Sequence, residues 1–154
     1  MTASHLLTGL TVREEIADTI ARACLGLDRN DKHLYDSAWA SDPEISINLN
    51  GNVLNGPEGI KQCFEAIGPM DSHHFVSGIR VDVEEDANVA SLTSNAMAKH
   101  YRAGEGLVPN AEYLLAGTAY DIRVVKETSG HWKMKSWIIK VIWAEGNWDV
   151  MPSF

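Results

Sequence analysis

Cysteine is scarce in this sequence: Cys24 and Cys63 are the two in 154 residues, each inside an apolar helical pattern. Two such thiols do not make a disulfide framework, and they read as reduced core residues of a cytoplasmic protein. Basic residues are also few, 13 Lys and Arg against 21 Asp and Glu, and they are scattered along the chain. A net charge of −8 without a basic cluster argues against nucleic acid or an anionic membrane as the main partner, because both are held by grouped cations. Long apolar runs are missing. The start, Met1-Thr2-Ala3-Ser4-His5-Leu6-Leu7, reads as neither leader nor membrane span. There is no glycine-rich phosphate loop and no nucleophile elbow; Gly104-Glu105-Gly106 reads as a flexible loop. The His, Cys, Asp and Glu residues are too dispersed to point to a metal, and nothing calls for another cofactor.

What remains is a globular composition, 45% hydrophobic and 22% charged. The length fits one domain, residues 1–154, with its core at about 11–148. Thr11-Val12-Arg13-Glu14 is a capping-box pattern. Val12, Ile16, Ile20, Ala23, Cys24 and Leu27 follow at steps of three and four, so the spacing predicts a helix over about 12–27. Asp31 can cap a short second helix carrying Leu34, Tyr35, Ala38 and Trp39, which Asp42-Pro43 ends. Residues 44–49 alternate as a strand, Asn50-Gly51-Asn52 turns it, and Val53-Leu54 can pair back. Asn55-Gly56-Pro57 opens a third helix with Ile60, Cys63, Phe64 and Ile67 on its buried stripe, and Gly68-Pro69 stops it.

Long strands follow, predicted at about 73–84, 89–102, 113–126 and 132–143. Helices first and then a meander of long strands make an α+β fold: a strongly bent antiparallel sheet wrapped around three helices as a cone-shaped barrel. The concave face and the helices enclose a cavity. The strand that opens this half begins His73-His74, and adjacent strand residues point to opposite faces, so only one histidine faces inward. His100 is in phase with Leu92, Ser94, Ala96 and Ala98, small residues that leave room for a ligand; the other reading is a surface histidine at a strand end. Tyr120 and Arg123 point to opposite faces of a regular strand. Tyr35, Tyr113 and Tyr120 can each donate to a substrate oxygen or simply pack. Of five tryptophans, Trp39 and Trp143 are expected beside a ligand, with Phe64 completing an apolar lining.

Leu25-Gly26-Leu27-Asp28-Arg29-Asn30-Asp31, Ser72-His73-His74-Phe75-Val76-Ser77-Gly78, Ala98-Lys99-His100-Tyr101, and the run from Gly117 through Met134 together resemble the nuclear-transport-factor-2-like superfamily. Within it the chain is most similar to SnoaL-like and scytalone-dehydratase-like enzymes. Their order and spacing carry the likeness, which spans nearly the whole chain. The resemblance implies that Asp28 and His74 form a pair, with His100 on the next strand. It implies a lyase or isomerase, of dehydratase, isomerase or cyclase type, using a His–Asp dyad on a small apolar oxygenated molecule, such as a polyketide or terpenoid intermediate. A homodimer is expected on the same grounds. The family tyrosine beside the aspartate is replaced by Leu27, and its later Ser and Asn by Tyr120, Asp121 and Arg123, so the resemblance carries over the style of chemistry rather than the dehydratase's particular substrate. Two other readings share the fold: a non-catalytic ligand-binding or dimerisation module, and an accessory subunit of an aromatic-ring dioxygenase.

Overall fold

A computed structural model of the chain describes residues 5–154; residues 1–4, and with them most of the N-terminal stretch, lie outside it. The elements run α1 (Val12–Asp28), α2 (Lys32–Ser37), β1 (Ser46–Leu49), β2 (Asn52–Asn55), α3 (Gly56–Ile67), β3 (Asp71–Asp82), β4 (Val89–Tyr101), β5 (Tyr113–Lys126) and β6 (Trp132–Gly146). A 3-10 turn at Trp148–Val150, absent from the sequence expectation, follows. Both bonds of the capping box form at α1, Thr11 Oγ1 accepting from the Glu14 N–H and Glu14 accepting from that of Thr11.

The fold is α+β, with one six-stranded sheet in the order β2-β1-β6-β5-β4-β3. Its four long strands form the expected antiparallel meander. The expectation of a wholly antiparallel sheet needs one correction, because β1 pairs parallel with β6, Ile47 opposite Trp137. Most of the chain separates these two strands, ample length for the crossover a parallel pair requires. The sheet is curled but open, since β2 and β3 are its two unjoined edges.

Three bulges shape it. One extra residue enters β3 between Ser77 and Arg80, where Gly78 has φ +62°. Two enter β6, at Lys135 and at Ile142. Each changes which face the following residues occupy, as a bulge must when side chains alternate. On β6, Trp132 and Met134 face inward before the first bulge, and Trp137, Ile139 and Val141 after it. Beyond Ile142 the phase switches again and Trp143 faces outward, its ring lying where a Cβ on Gly117 would stand, 2.1 Å away.

Helix α1 lays Ile16, Ile20, Ala23 and Leu27 against the concave face, where Leu92, Ile122, Val124, Trp132, Met134 and Trp137 are buried. Burial of each large apolar side chain contributes about 1.5–3 kcal/mol. Buried Arg22 ties α1 to α2, holding Asp18 at 2.9 Å and donating to the Ser37 carbonyl, which also accepts from Lys133 Nζ at 2.6 Å. Among the described residues no helix is long and apolar enough to cross a membrane.

Candidate active site

The inward positions of β4 and β5 change size along the strands. At one end Leu92, Ile122 and Val124 fill the space beneath α1; at the other, Ala98, Ala116 and Thr118 leave it open. The result is a cavity of about 430 Å³, bounded by the end of α1 at Leu27, by Cys63 and Ile67 of α3, and by Trp137, Ile139 and Val141 of β6. Its lining is mainly apolar, with His74, His100 and Tyr120 among the polar groups.

His74 stands on the inward side of β3 with Ser72 and Val76, and His73 on the outer side, its ring 4.5 Å from that of Phe75. Asp28 is the last residue of α1, which runs directly against β3. One carboxylate oxygen lies 2.5 Å from His74 Nδ1, and the other accepts the His74 main-chain N–H at 2.9 Å. Both side chains are almost wholly enclosed, at 6 and 7% exposure. A carboxylate accepts, so Nδ1 carries the proton of this bond, and a neutral His74 then presents a bare Nε2 as a proton acceptor.

His100 is buried on β4, ring centroid 5.4 Å from that of His74 and nearly perpendicular to it. Its Nδ1 lies 2.7 Å from Ser72 Oγ. Burial, and secondarily the neighbouring His74, push the His100 imidazole down to about 4, so it is neutral at physiological pH. Burial holds the Tyr120 phenol well above its ordinary range, keeping its hydrogen available for donation. Cys63 at the cavity wall is likewise pushed up to about 11 by burial, and Cys24 is raised too; both are free thiols, protonated and poor nucleophiles.

The structure therefore brings His74, His100 and Tyr120 to the cavity, with Asp28 behind His74. The remaining expected ligand contacts fall elsewhere. Tyr35 is fully buried between α1 and α3, donating to the Ile60 carbonyl at 3.1 Å with Trp39 and Phe64 packed on its ring. These three aromatics fill the core at the far side of the helices: Tyr35 on α2 and Phe64 on α3 lie on helical faces committed to packing, and Trp39, expected on the second helix, lies past its end in a bridge to Met134. Tyr113 is on the outer face, since its neighbour Leu114 points in; its hydroxyl donates to Glu145 at 3.0 Å and Lys99 sits 4.3 Å from its ring centroid. Trp143 is turned outward by the Ile142 bulge, and Arg123 and Asp121 are exposed on that same face.

Sequence reasoning passed over Ser72, whose signal was its position two residues before His74 on the same face. It also passed over the last residues: Trp148, Met151 and Phe154 line the cavity after Gly146, at φ +103°, redirects the chain.

Comparison with known proteins gives a consistent picture. Residues 8–138 match the family model described as a SnoaL-like domain. The chain is 37% identical over 147 residues to "Terrestric acid biosynthesis cluster protein E" of Penicillium crustosum, covering 94% of this chain and 92% of that protein. Among solved structures it is similar to a provisionally assigned scytalone dehydratase from Novosphingobium aromaticivorans, at TM-score 0.72 and 19% identity over 87% of this chain and 86% of that one. A hexachlorocyclohexane dehydrochlorinase, LinA-type3, from Novosphingobium barchaimii has TM-score 0.70 and 15% identity over 92 and 94%. At these identities the structural likeness speaks to the fold.

Proposed function

This chain belongs to the SnoaL-like domain family, and from that membership we propose that it is a cofactor-independent acid/base enzyme of secondary metabolism. Its substrate is a small, apolar, oxygenated intermediate of polyketide or terpenoid type, and its reaction a dehydration, isomerisation or cyclisation. The relative named for a biosynthesis cluster supports the metabolic setting, and the mostly apolar cavity supports the substrate class.

The observation that carries the reading is the Asp28–His74 pair at the wall of the mainly apolar cavity. A binding module has no need of a buried carboxylate spent on one histidine. His74 Nε2 takes a proton from substrate; Asp28 orients the ring and stabilises the imidazolium that forms. His100 and Tyr120 donate to the substrate oxygen as negative charge builds on it. The same proton then returns to a different atom, or to a departing hydroxyl.

Deuterium uptake from D2O at the α-carbon of 2-tetralone, an enolisable bicyclic ketone that suits the cavity, tests this directly. Wild-type protein should accelerate uptake and a folded His74→Ala variant should return it to background. Equal rates for the two would overturn the mechanism.

The working unit is one domain, cytoplasmic, and paired as a homodimer. Phe75, Met97 and Trp143 are aligned across β3, β4 and β6 on the outer face, with Gly117 between them, at 54, 40 and 46% exposure. A contiguous apolar row of this kind supports self-association. Light scattering should give about twice the 17.0 kDa chain mass, and Phe75→Glu should halve it. A monomeric wild type would rule the dimer out.

A further inference from the structure

Ser72 and His100 face each other directly across β3 and β4, and their side chains meet inside the fold at 2.7 Å. That distance allows two proton placements. Either the Ser72 hydroxyl donates to a bare Nδ1, or an Nδ1–H donates to the Ser72 oxygen. A neutral imidazole has a single N–H, so the choice fixes what Nε2 presents. Among the described residues Nδ1 is the one acceptor that the Ser72 hydroxyl reaches. The second placement would therefore strand the hydroxyl proton in a half-buried site, a costly arrangement.

We propose that Ser72 is a positioning residue that holds His100 as its Nε2–H tautomer, opposite in hand to His74. Asp28 accepts the Nδ1–H of His74 and leaves Nε2 bare; the Ser72 hydroxyl donates to Nδ1 of His100 and leaves Nε2 protonated. Two neighbouring rings of the same residue type thus offer the cavity one acceptor and one donor. The low proton affinity of the buried His100 keeps it in this neutral form.

This complementary pair deepens the acid/base reading above, and rests on it, by naming the substrate class: a carbonyl compound with an acidic hydrogen on the adjacent carbon. The C–H bond breaks, its proton passes to His74 Nε2, and its electron pair moves through carbon to the carbonyl oxygen. His100 keeps its own proton and hydrogen-bonds the enolate. His74 then gives the proton to another carbon of the conjugated system, or to a leaving hydroxyl as water.

Long-range proton–nitrogen correlation spectra of the wild-type histidine rings at neutral pH, with no ligand added, decide the tautomers. The expected result is a pyridine-type Nδ1 and a pyrrole-type Nε2 on His100, with the reverse on His74. Ser72→Ala should turn the His100 signals into an average of both tautomers, and Ser72→Thr should restore them. With 2-tetralone, Ser72→Ala should lower kcat for α-deuteration about tenfold with KM within twofold, and Ser72→Thr should recover it. A pyrrole-type Nδ1 on wild-type His100, or a tautomer untouched by Ser72→Ala, overturns the proposal. If Ser72→Ala does not fold, the wild-type spectrum by itself decides between the two placements. Absence of any wild-type deuteration would count against the enolisation chemistry and its substrate class, while the spectrum judges the tautomer separately.

Discussion

Asp28 meets His74 twice, through the ring at 2.5 Å and through the main-chain N–H at 2.9 Å. The two contacts use different oxygens of one carboxylate, so the end of α1 and the start of β3 are locked in register by the same group that orients the imidazole. Asp28→Asn should therefore separate the roles. The amide can still accept one of the two bonds, but it carries no charge to stabilise an imidazolium. Deuteration of 2-tetralone should drop about 10²-fold or more, while stability in urea falls by about 1–3 kcal/mol.

His73 serves as the internal control for the face assignment. His73→Ala should leave deuteration within about twofold of wild type, since the ring lies outside against Phe75. Loss of activity in His73→Ala with retention in His74→Ala would mean that β3 presents the other histidine.

Acid should weaken the fold through His100. An unfolded histidine titrates near 6.5, whereas the buried ring is pushed down to about 4. Between these values the unfolded chain binds a proton that the folded chain refuses. The contribution of His100 is thus fully present above about pH 6.5 and is lost as pH falls toward 4, amounting to about 3 kcal/mol at most. Urea midpoints of wild type and His100→Gln, compared at several pH values across that window, should show the shallower pH dependence in the variant.

Gly26→Ala should damage both stability and activity. A Cβ there would stand 2.6 Å from the Tyr35 main-chain nitrogen and 2.7 Å from its Cα, with no flexible side-chain end to move aside. Separating α1 from α2 costs about 1–3 kcal/mol by urea titration. It also shifts Asp28, two residues further along α1, so deuteration should fall even where the protein stays folded.

Much of this arrangement was legible in the order of residues. The capping box, the three- and four-residue apolar steps of α1 and the small inward residues of β4 each report a local rule that tertiary contacts did not override. The inward His74 followed from alternation and family likeness together. Alternation failed where its period was interrupted. A single extra residue leaves no mark in a run such as Val141-Ile142-Trp143, where every side chain is apolar, so nothing local spoke against a Trp143 placed beside a stacking ligand. The aromatic positions Tyr35, Trp39 and Phe64 were misread differently, because a helical stripe says which face is buried but not whether it meets packed core or open cavity. The parallel β1–β6 pair depends on contacts between residues about ninety positions apart, and no local pattern encodes it.

The bulge at Ile142 lets β6 carry one extra residue without passing the change on to the indole. Removing that one residue would leave Val141 inward opposite Thr118 and the indole outward over Gly117, now in unbroken alternation. A one-codon deletion within a strand, far from any loop, is thereby open to lineages at this point without re-tailoring the cavity wall or erasing the contact on the opposite surface.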